Sequence, residues 1–203
     1  MAALIEAAKD ESYPADIVLV LSNRPDAPGL QTARDVGIAA VGLDHKAHDT
    51  REAFEAELQH HLEDHDIELV CLAGFLRLMT DGFVNSWRNR MINIHPSLLP
   101  SYKGLDTHAR VLRDGGRISG CTVHYVRPQM DEGPIIAQAA VGVLADDTED
   151  TLGARVLEAE HLIYPMALKL VAEGAVQVTA EKTRFFGEEA LKPPLISPAL
   201  VSD

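Results

Sequence analysis

Apolar positions along this chain come in two textures. Some form short continuous runs, such as Ile17-Val18-Leu19-Val20-Leu21, which is how a strand covered on both faces reads. Others recur at helical spacing, such as Ala53, Phe54, Leu58 and Leu62, which share one face of a helix. Taken in order, residues 1–9 read as an Ala-rich helix, 16–21 as a strand, 30–36 as a helix closed by Gly37, and 38–43 as a strand. The loop 22–29 between the first strand and that second helix carries Pro25 and Pro28. Asp49 or Thr50 can cap a helix running to about residue 64. Strands follow at 67–72 and 91–94, with a short helix at 83–87 between them. This β-α-β-α-β-α-β order with short links predicts an α/β domain with a mostly parallel twisted sheet flanked by helices. The opening helix has no residue ahead of it to cap its N–H groups.

The texture changes after residue 95. A helix is expected over 106–113, then strands over 120–126 and 134–143 joined by the loop 127–133, an antiparallel pair. Thr148 opens a long helix to about residue 173. Thr151 stands three residues on, where a full capping box has Glu or Gln, while Glu149 and Asp150 suit the positive end of the helix dipole. Gly174 closes this helix, and 176–179 with 184–186 predict a terminal hairpin. From 187 to 203 the chain carries Pro193, Pro194 and Pro198 with little periodicity, and reads as a mobile tail to a single domain over 1–186.

Composition narrows the function classes. The chain has 203 residues, enough for a real core. Lys and Arg number 18 against 31 Asp and Glu, a net charge of −13. Such a chain is a poor binder of nucleic acid or membrane surface, so anionic substrates must be met by local Arg, Lys and backbone N–H groups. Cys71 and Cys121 lie in apolar runs and read as small buried thiols in a reducing, cytoplasmic setting. No apolar run reaches membrane-spanning length, and the first residues lack a signal-peptide pattern.

The chemistry gathers at residues 91–104. Asn93 and His95 are i and i+2 on a strand, so they share a face, at the carboxyl end where α/β sheets bind ligands. Pro96 keeps His95 extended. Asp131 lies on the loop before Gly133 and Pro134. Taken singly, each of the three is more often a packed or solvated residue than a catalyst. His60, His61 and His65 read as a solvated helix end, and His45 and His48 as loop residues. His124 alternates with Val123 and Tyr125 in a strand, and His108 stands near the site.

Together the segments change the picture. Asn93-Ile94-His95-Pro96-Ser97-Leu98-Leu99-Pro100, then Gly104 with Thr107 and His108, then Asp131-Glu132-Gly133-Pro134, resemble the folate-dependent formyltransferases. The Gly104-Leu105-Asp106-Thr107-His108 run is most similar to their glycinamide ribonucleotide transformylase branch. The likeness covers nearly the whole chain, including Ser22-Asn23, Glu160-His161 and Tyr164-Pro165. It implies a Rossmann-like formyltransferase fold. It also implies transfer of the formyl group of 10-formyltetrahydrofolate, a co-substrate, to the amino group of 5-phosphoribosyl-glycinamide in purine synthesis, without a metal. The residue types suit that reaction. Formyl transfer to an amine passes through a tetrahedral oxyanion, and a neutral amine needs no Ser or Cys nucleophile. The Asn93 amide can donate to the oxyanion. A protonated His95 can act as general acid, with Asp131 favouring its charged form and relaying the proton.

By the same resemblance the folate lies along Leu76, Arg77, Leu78 and Met79 and the loop of Arg127, Pro128, Gln129, Met130 and Asp131, with Asn93 at its formyl group. Arg51 and Arg77 fall near its benzoyl-glutamate end, Arg51 being equally readable as a solvated helix residue. Glu160 matches a residue that meets the ribonucleotide through its ribose hydroxyls, and Leu157 stands where the family often has Gln. The family opens with an apolar strand and a Gly-Ser-Asn-type loop that holds the substrate phosphate at a helix start. Met1 falls about where that loop hands over to its helix. Roughly a dozen residues, one strand plus a short loop, are therefore expected ahead of it, with Met1 an internal methionine or the start of a shortened chain. The rival functions are a 10-formyltetrahydrofolate hydrolase, which usually carries a further N-terminal domain, and an initiator-tRNA formyltransferase, which needs a basic C-terminal domain. A folate- or nucleotide-binding protein without turnover is a third. Monomer and homodimer are both compatible with the sequence.

Overall fold

The computed structural model describes residues 1–187 and 196–197. Its elements follow the predicted order: α1 (Ala2–Ala7), β1 (Leu19–Ser22), α2 (Pro28–Asp35), β2 (Ala39–Gly42), α3 (Arg51–Asp64), β3 (Val70–Leu72), α4 (Asp81–Ser86), β4 (Met91–His95), α5 (Thr107–Arg113), β5 (Ile118–Tyr125), β6 (Ile135–Gly142), α6 (Glu149–Ala172), β7 (Val176–Thr179) and β8 (Lys182–Phe185). β1 pairs with β2 and β3 with β4, both parallel, while β4–β5, β5–β6 and β7–β8 are antiparallel. The first half is thus parallel α/β and the second antiparallel. The mobile tail expected from 187 onward falls, beyond Gly187 and apart from Ile196 and Ser197, outside the described residues.

Helices cover both faces. Met91 and Ile92 are neighbours on β4, yet Met91 joins the core under α3 and α4 and Ile92 the core under α1 and α6, as alternation along a strand requires. Phe54, Leu58 and Leu62 carry the first core, and Leu152, Val156, Ile163, Ala167 and Leu168 anchor α6 in the second. The Tyr164 hydroxyl of α6 donates to the Leu72 carbonyl at 2.8 Å and lies 3.3 Å from that of Ile92. It ties the long helix to the ends of β3 and β4.

Local chemistry sets the boundaries. Thr50 caps α3 by accepting from Ala53 N, and Thr80 caps α4 by accepting from Phe83 N. α2 begins two residues earlier than expected because Pro28 fits the first helical turn. β1 and β3 are shorter than their apolar runs. Their partners fix them: the ladders begin at Leu19↔Ala39 and Val70↔Met91. At α6 the imperfect box closes after all. Thr151 N donates to Thr148 Oγ1 at 3.2 Å and Thr148 N to Thr151 Oγ1 at 2.9 Å.

One expectation fails in an informative way. The Ile17–Leu21 run reads as a strand covered on both faces, yet β1 and β3 are only half buried and Val18 stays 46% exposed. β1 and β3 belong to separate ladders. Between them lies an apolar cavity of about 770 Å³ lined by Met1, Leu4, Leu19, Leu21, Cys71 and Leu72 among others.

Candidate active site

The end of β4 delivers Asn93 and His95 to a second, smaller cleft of about 350 Å³. Its walls come from Leu72 and residues 74–79, from 93–96, from 104–107, and from His124, 126–128, Met130, Asp131 and Glu160. The three expected catalytic residues, Asn93, His95 and Asp131, line this cleft and not the larger cavity.

His95 is buried. Its Nε2 lies 3.0 Å from the Tyr102 carbonyl, and its Nδ1 lies 3.5 Å from Asp131 Oδ2. Both ring nitrogens thus face acceptors, an arrangement that only the doubly protonated ring satisfies in full. Asp131 sits at φ 57, and its Oδ2 accepts from Gly104 N at 2.8 Å. The loop after β4 is held from below. Thr122 Oγ1 donates to Ser97 O at 2.7 Å and accepts from Leu99 N at 3.1 Å, while Gln138 Nε2 donates to Leu99 O at 2.9 Å. Lys103 and Glu132 join the two loops at 2.8 Å.

Asn93 has a partner that the sequence did not put beside it. Across the β4–β5 ladder Asn93 pairs with His124, and Asn93 Nδ2 lies 3.3 Å from His124 Nε2. His124 Nε2 is also 3.8 Å from Asp131 Oδ1. Burial holds the His124 ring below the usual imidazole pKa. The strand placement of His124 between Val123 and Tyr125 was legible, but only the strand register puts it opposite Asn93, and register is not written in either strand alone.

The other expected positions divide. Leu76, Arg77, Leu78, Met79, Arg127, Pro128 and Met130 line the cleft. Leu76, Leu78 and Met130 are exposed there at 82, 59 and 52%, an apolar rim open to a ligand. The Arg127 guanidinium turns away from it. Its Nε donates to Glu181 at 2.6 Å, Nη2 to Asn89 at 2.7 Å and Nη1 to the Val126 carbonyl at 2.9 Å. Arg127 therefore offers the cleft its backbone and stem. The Arg77 guanidinium lies 5.6 Å above the Phe54 ring. Glu160 lines the far wall, and burial raises its carboxyl pKa. Arg51, at the start of α3, and the exposed Gln129 lie outside the cleft lining. Burial pushes both Cys71 and Cys121 thiols up to about 12, so neither is a nucleophile at neutral pH.

An amide donor, an imidazole between two acceptors and a loop carboxylate, at the carboxyl end of an α/β sheet, suit acyl transfer without a side-chain nucleophile. The chain belongs to the formyl transferase family, whose model matches residues 1–168. It is 48% identical over 176 residues to the "Trifunctional purine biosynthetic protein adenosine-3" of Gallus gallus, covering 87% of this chain and 18% of that protein. To the "Phosphoribosylglycinamide formyltransferase" of Escherichia coli (strain K12) it is 43% identical, with 87% and 83% covered. The solved glycinamide ribonucleotide transformylase 1 of Symbiobacterium toebii superposes with a TM-score of 0.88 at 42% identity, covering 91% of this chain and 87% of that one. The chain thus spans less than a fifth of the Gallus protein and most of the two bacterial ones.

Proposed function

We propose that this chain transfers the formyl group of 10-formyltetrahydrofolate to the amino group of 5-phosphoribosyl-glycinamide, as a cytoplasmic one-carbon transferase of purine synthesis. The observation that carries the reading is the meeting of Asn93, His95 and Asp131 in one cleft, with His95 Nδ1 3.5 Å from the Asp131 carboxylate. The names of the relatives that match over most of their length support it.

In this reading the substrate amine attacks the formyl carbon and its C=O becomes an oxyanion. An Asn93 N–H donates to that oxygen, and the His95 imidazolium joins it once substrate draws one N–H from the acceptor it faces in the free protein, each such donor being worth about 3–4 kcal/mol of barrier. Asp131 stabilises the imidazolium and passes on the amine proton. The C–N10 bond then breaks, N10 takes a proton, and tetrahydrofolate and the formylated ribonucleotide leave. Holding both substrates in register supplies much of the remaining rate. The folate lies along Leu76, Arg77, Leu78 and Met79 and against the loop 127–131, its pterin read by backbone groups. Glu160 meets the ribose hydroxyls from α6. Arg51 and Gln129 stand outside the cleft lining, so Arg51 meets the folate only through its extended glutamate end and Gln129 only through the backbone of its loop. No step calls for a metal.

The test follows formyl release from 10-formyl-5,8-dideazafolate by absorbance, with and without phosphoribosyl-glycinamide. Turnover that requires the ribonucleotide is expected. Turnover that ignores it identifies a hydrolase instead, and binding without turnover identifies a carrier.

A further inference from the structure

A primary amide can present either its oxygen or its nitrogen to a ligand. At Asn93 the choice decides the chemistry, because a developing oxyanion is stabilised by N–H and repelled by C=O. Asn93 lies on the cleft wall at the end of β4, with room for either orientation as far as shape alone is concerned. Something must fix the amide before substrate arrives, since oriented donors act by being placed in advance.

The neighbour that fixes it is His124, 2% exposed on β5. Its Nδ1 lies 3.0 Å from the Tyr125 carbonyl. A carbonyl only accepts, so Nδ1 carries the proton. In a neutral ring Nε2 is then a bare lone pair, and it faces Asn93 Nδ2 at 3.3 Å. Only a donor satisfies it, so the amide nitrogen must turn toward the ring. The strand geometry serves this contact: Asn93 and His124 are cross-strand partners, and the β5–β6 ladder breaks register between Val123 and His124, the kind of irregularity that re-aims a side chain.

We propose that His124 is a positioning residue that sets the polarity of the Asn93 amide. Its neutral, Nδ1-protonated ring takes one Asn93 N–H on Nε2 and leaves the second N–H for the substrate oxygen. The proposal rests on the formyl-transfer reading for its kinetic consequences, but the hydrogen-bond pattern stands without it. The groups facing the ring are Asn93 and His95 from β4, Asp131 and Arg127 from the loop after β5, and the Tyr125 carbonyl. Of these Asp131 favours a proton on Nε2, 3.8 Å away. Burial, His95 and Arg127 oppose a second charge on the ring. A doubly protonated His124 would donate to Asn93 Oδ1 and turn the amide over.

Two measurements test this. Nitrogen-15 spectra of the wild-type protein at neutral pH need no turnover, and should show His124 protonated on Nδ1 with Nε2 as acceptor. A proton on Nε2 overturns the proposal. Kinetics then use three variants. His124→Phe keeps the ring volume and removes both nitrogens. His124→Asn reaches only the Nδ1 position, and His124→Gln places an amide oxygen near the Nε2 position. Phe and Asn should each lower kcat about 10–100-fold with KM nearly unchanged, a loss of transition-state stabilisation alone. Gln should recover most of it. In an Asn93→Ala background His124→Phe should cost nothing more, because residues that act as a unit are not additive. Equal losses in both backgrounds, or Gln as poor as Phe, would refute a positioning role. A wild-type protein with no formyl transfer would refute the proposed function, and the spectra would still decide the His124 proton.

Discussion

His95 has an acceptor at each nitrogen, the Tyr102 carbonyl and the Asp131 carboxylate, and that pairing gives two expectations. Replacing His95 with Ala removes the proposed acid and should lower kcat by about 10²–10⁴-fold, the usual weight of a positioned proton donor. Asp131→Asn keeps the side-chain shape, and its amide can no longer balance the imidazolium. It should also lower kcat strongly, while equilibrium binding of the folate survives in both variants. Near-wild-type rates would remove the assigned roles. A third expectation concerns pH. Burial depresses the His124 pKa, and that of His108 in the same sense. On acidification from about pH 7 toward about 5 the unfolded chain takes up these protons before the folded one does. Their contribution to stability is thus present above the ordinary imidazole pKa and lost below it. His48 works in the opposite direction, its pKa raised by Glu57. Thermal melts of His124→Gln against wild type isolate one ring: the variant should lose less stability over this pH range, and equal losses would sink the argument. Of these residues Asn93 and His95 were legible in the sequence, because strand periodicity alone puts them on one face. Asp131 needed its loop and the resemblance, and its mate His124 needed a register.

Elements were legible wherever one strong local signal existed, as at the Thr50 cap. Where the deciding partner was distant the element stood and its bounds shifted: the predicted hairpin forms, with its second strand starting at Lys182 and not at Arg184. The terminal hairpin turns through Ala180 and Glu181 at φ 48 and 57, positions where Gly or Asn usually announces the turn. Glu181 is held there by Arg88 and Arg127, so tertiary ion pairs accompany a turn tighter than the predicted link over 180–183. The loop carrying Asp131 is likewise set by its surroundings. A Cβ on Gly133 would lie 1.6 Å from the Tyr125 carbonyl oxygen, and Tyr125 N donates to Pro134 O across the same turn. Gly133→Ala must therefore shift the loop. It should cost roughly 1–3 kcal/mol in denaturant melts, as overpacking does. It should also lower kcat more than the stability loss explains, because Asp131 lies two residues away. Normal activity at reduced stability would separate the loop's shape from its chemistry.

At the scale of the whole molecule the alternating helix and strand texture was enough for an α/β sheet with helices on both faces, and the antiparallel second half was readable from its hairpin loops. Periodicity alone does not give the break in the sheet; only the resemblance, with a strand expected ahead of Met1, bears on it. β1 and β3 are built from residues suited to full burial, yet both border the apolar cavity of about 770 Å³. Folded interiors are close-packed, and a strand edge left open presents N–H and C=O groups that only another extended backbone can pair in series. An apolar strand is therefore the occupant that satisfies both borders. Met1 and Leu4 line the same cavity, so a segment joined ahead of Met1 reaches it. Burying a few aliphatic side chains gains about 1.5–3 kcal/mol each, against about 1–2 kcal/mol per residue of ordered backbone. These two terms roughly cancel, so the net gain comes from filling the cavity and from the hydrogen bonds along two strand edges. A version carrying about five added apolar residues and a short Gly-containing link should melt higher than the 203-residue chain. Its Leu19–Ser22 and Val70–Leu72 amides should exchange more slowly with deuterium, because each strand gains a second hydrogen-bonded neighbour. If both the melting temperature and the exchange of those amides stay unchanged, the cavity is not a strand site and the half-burial of β1 and β3 has another cause.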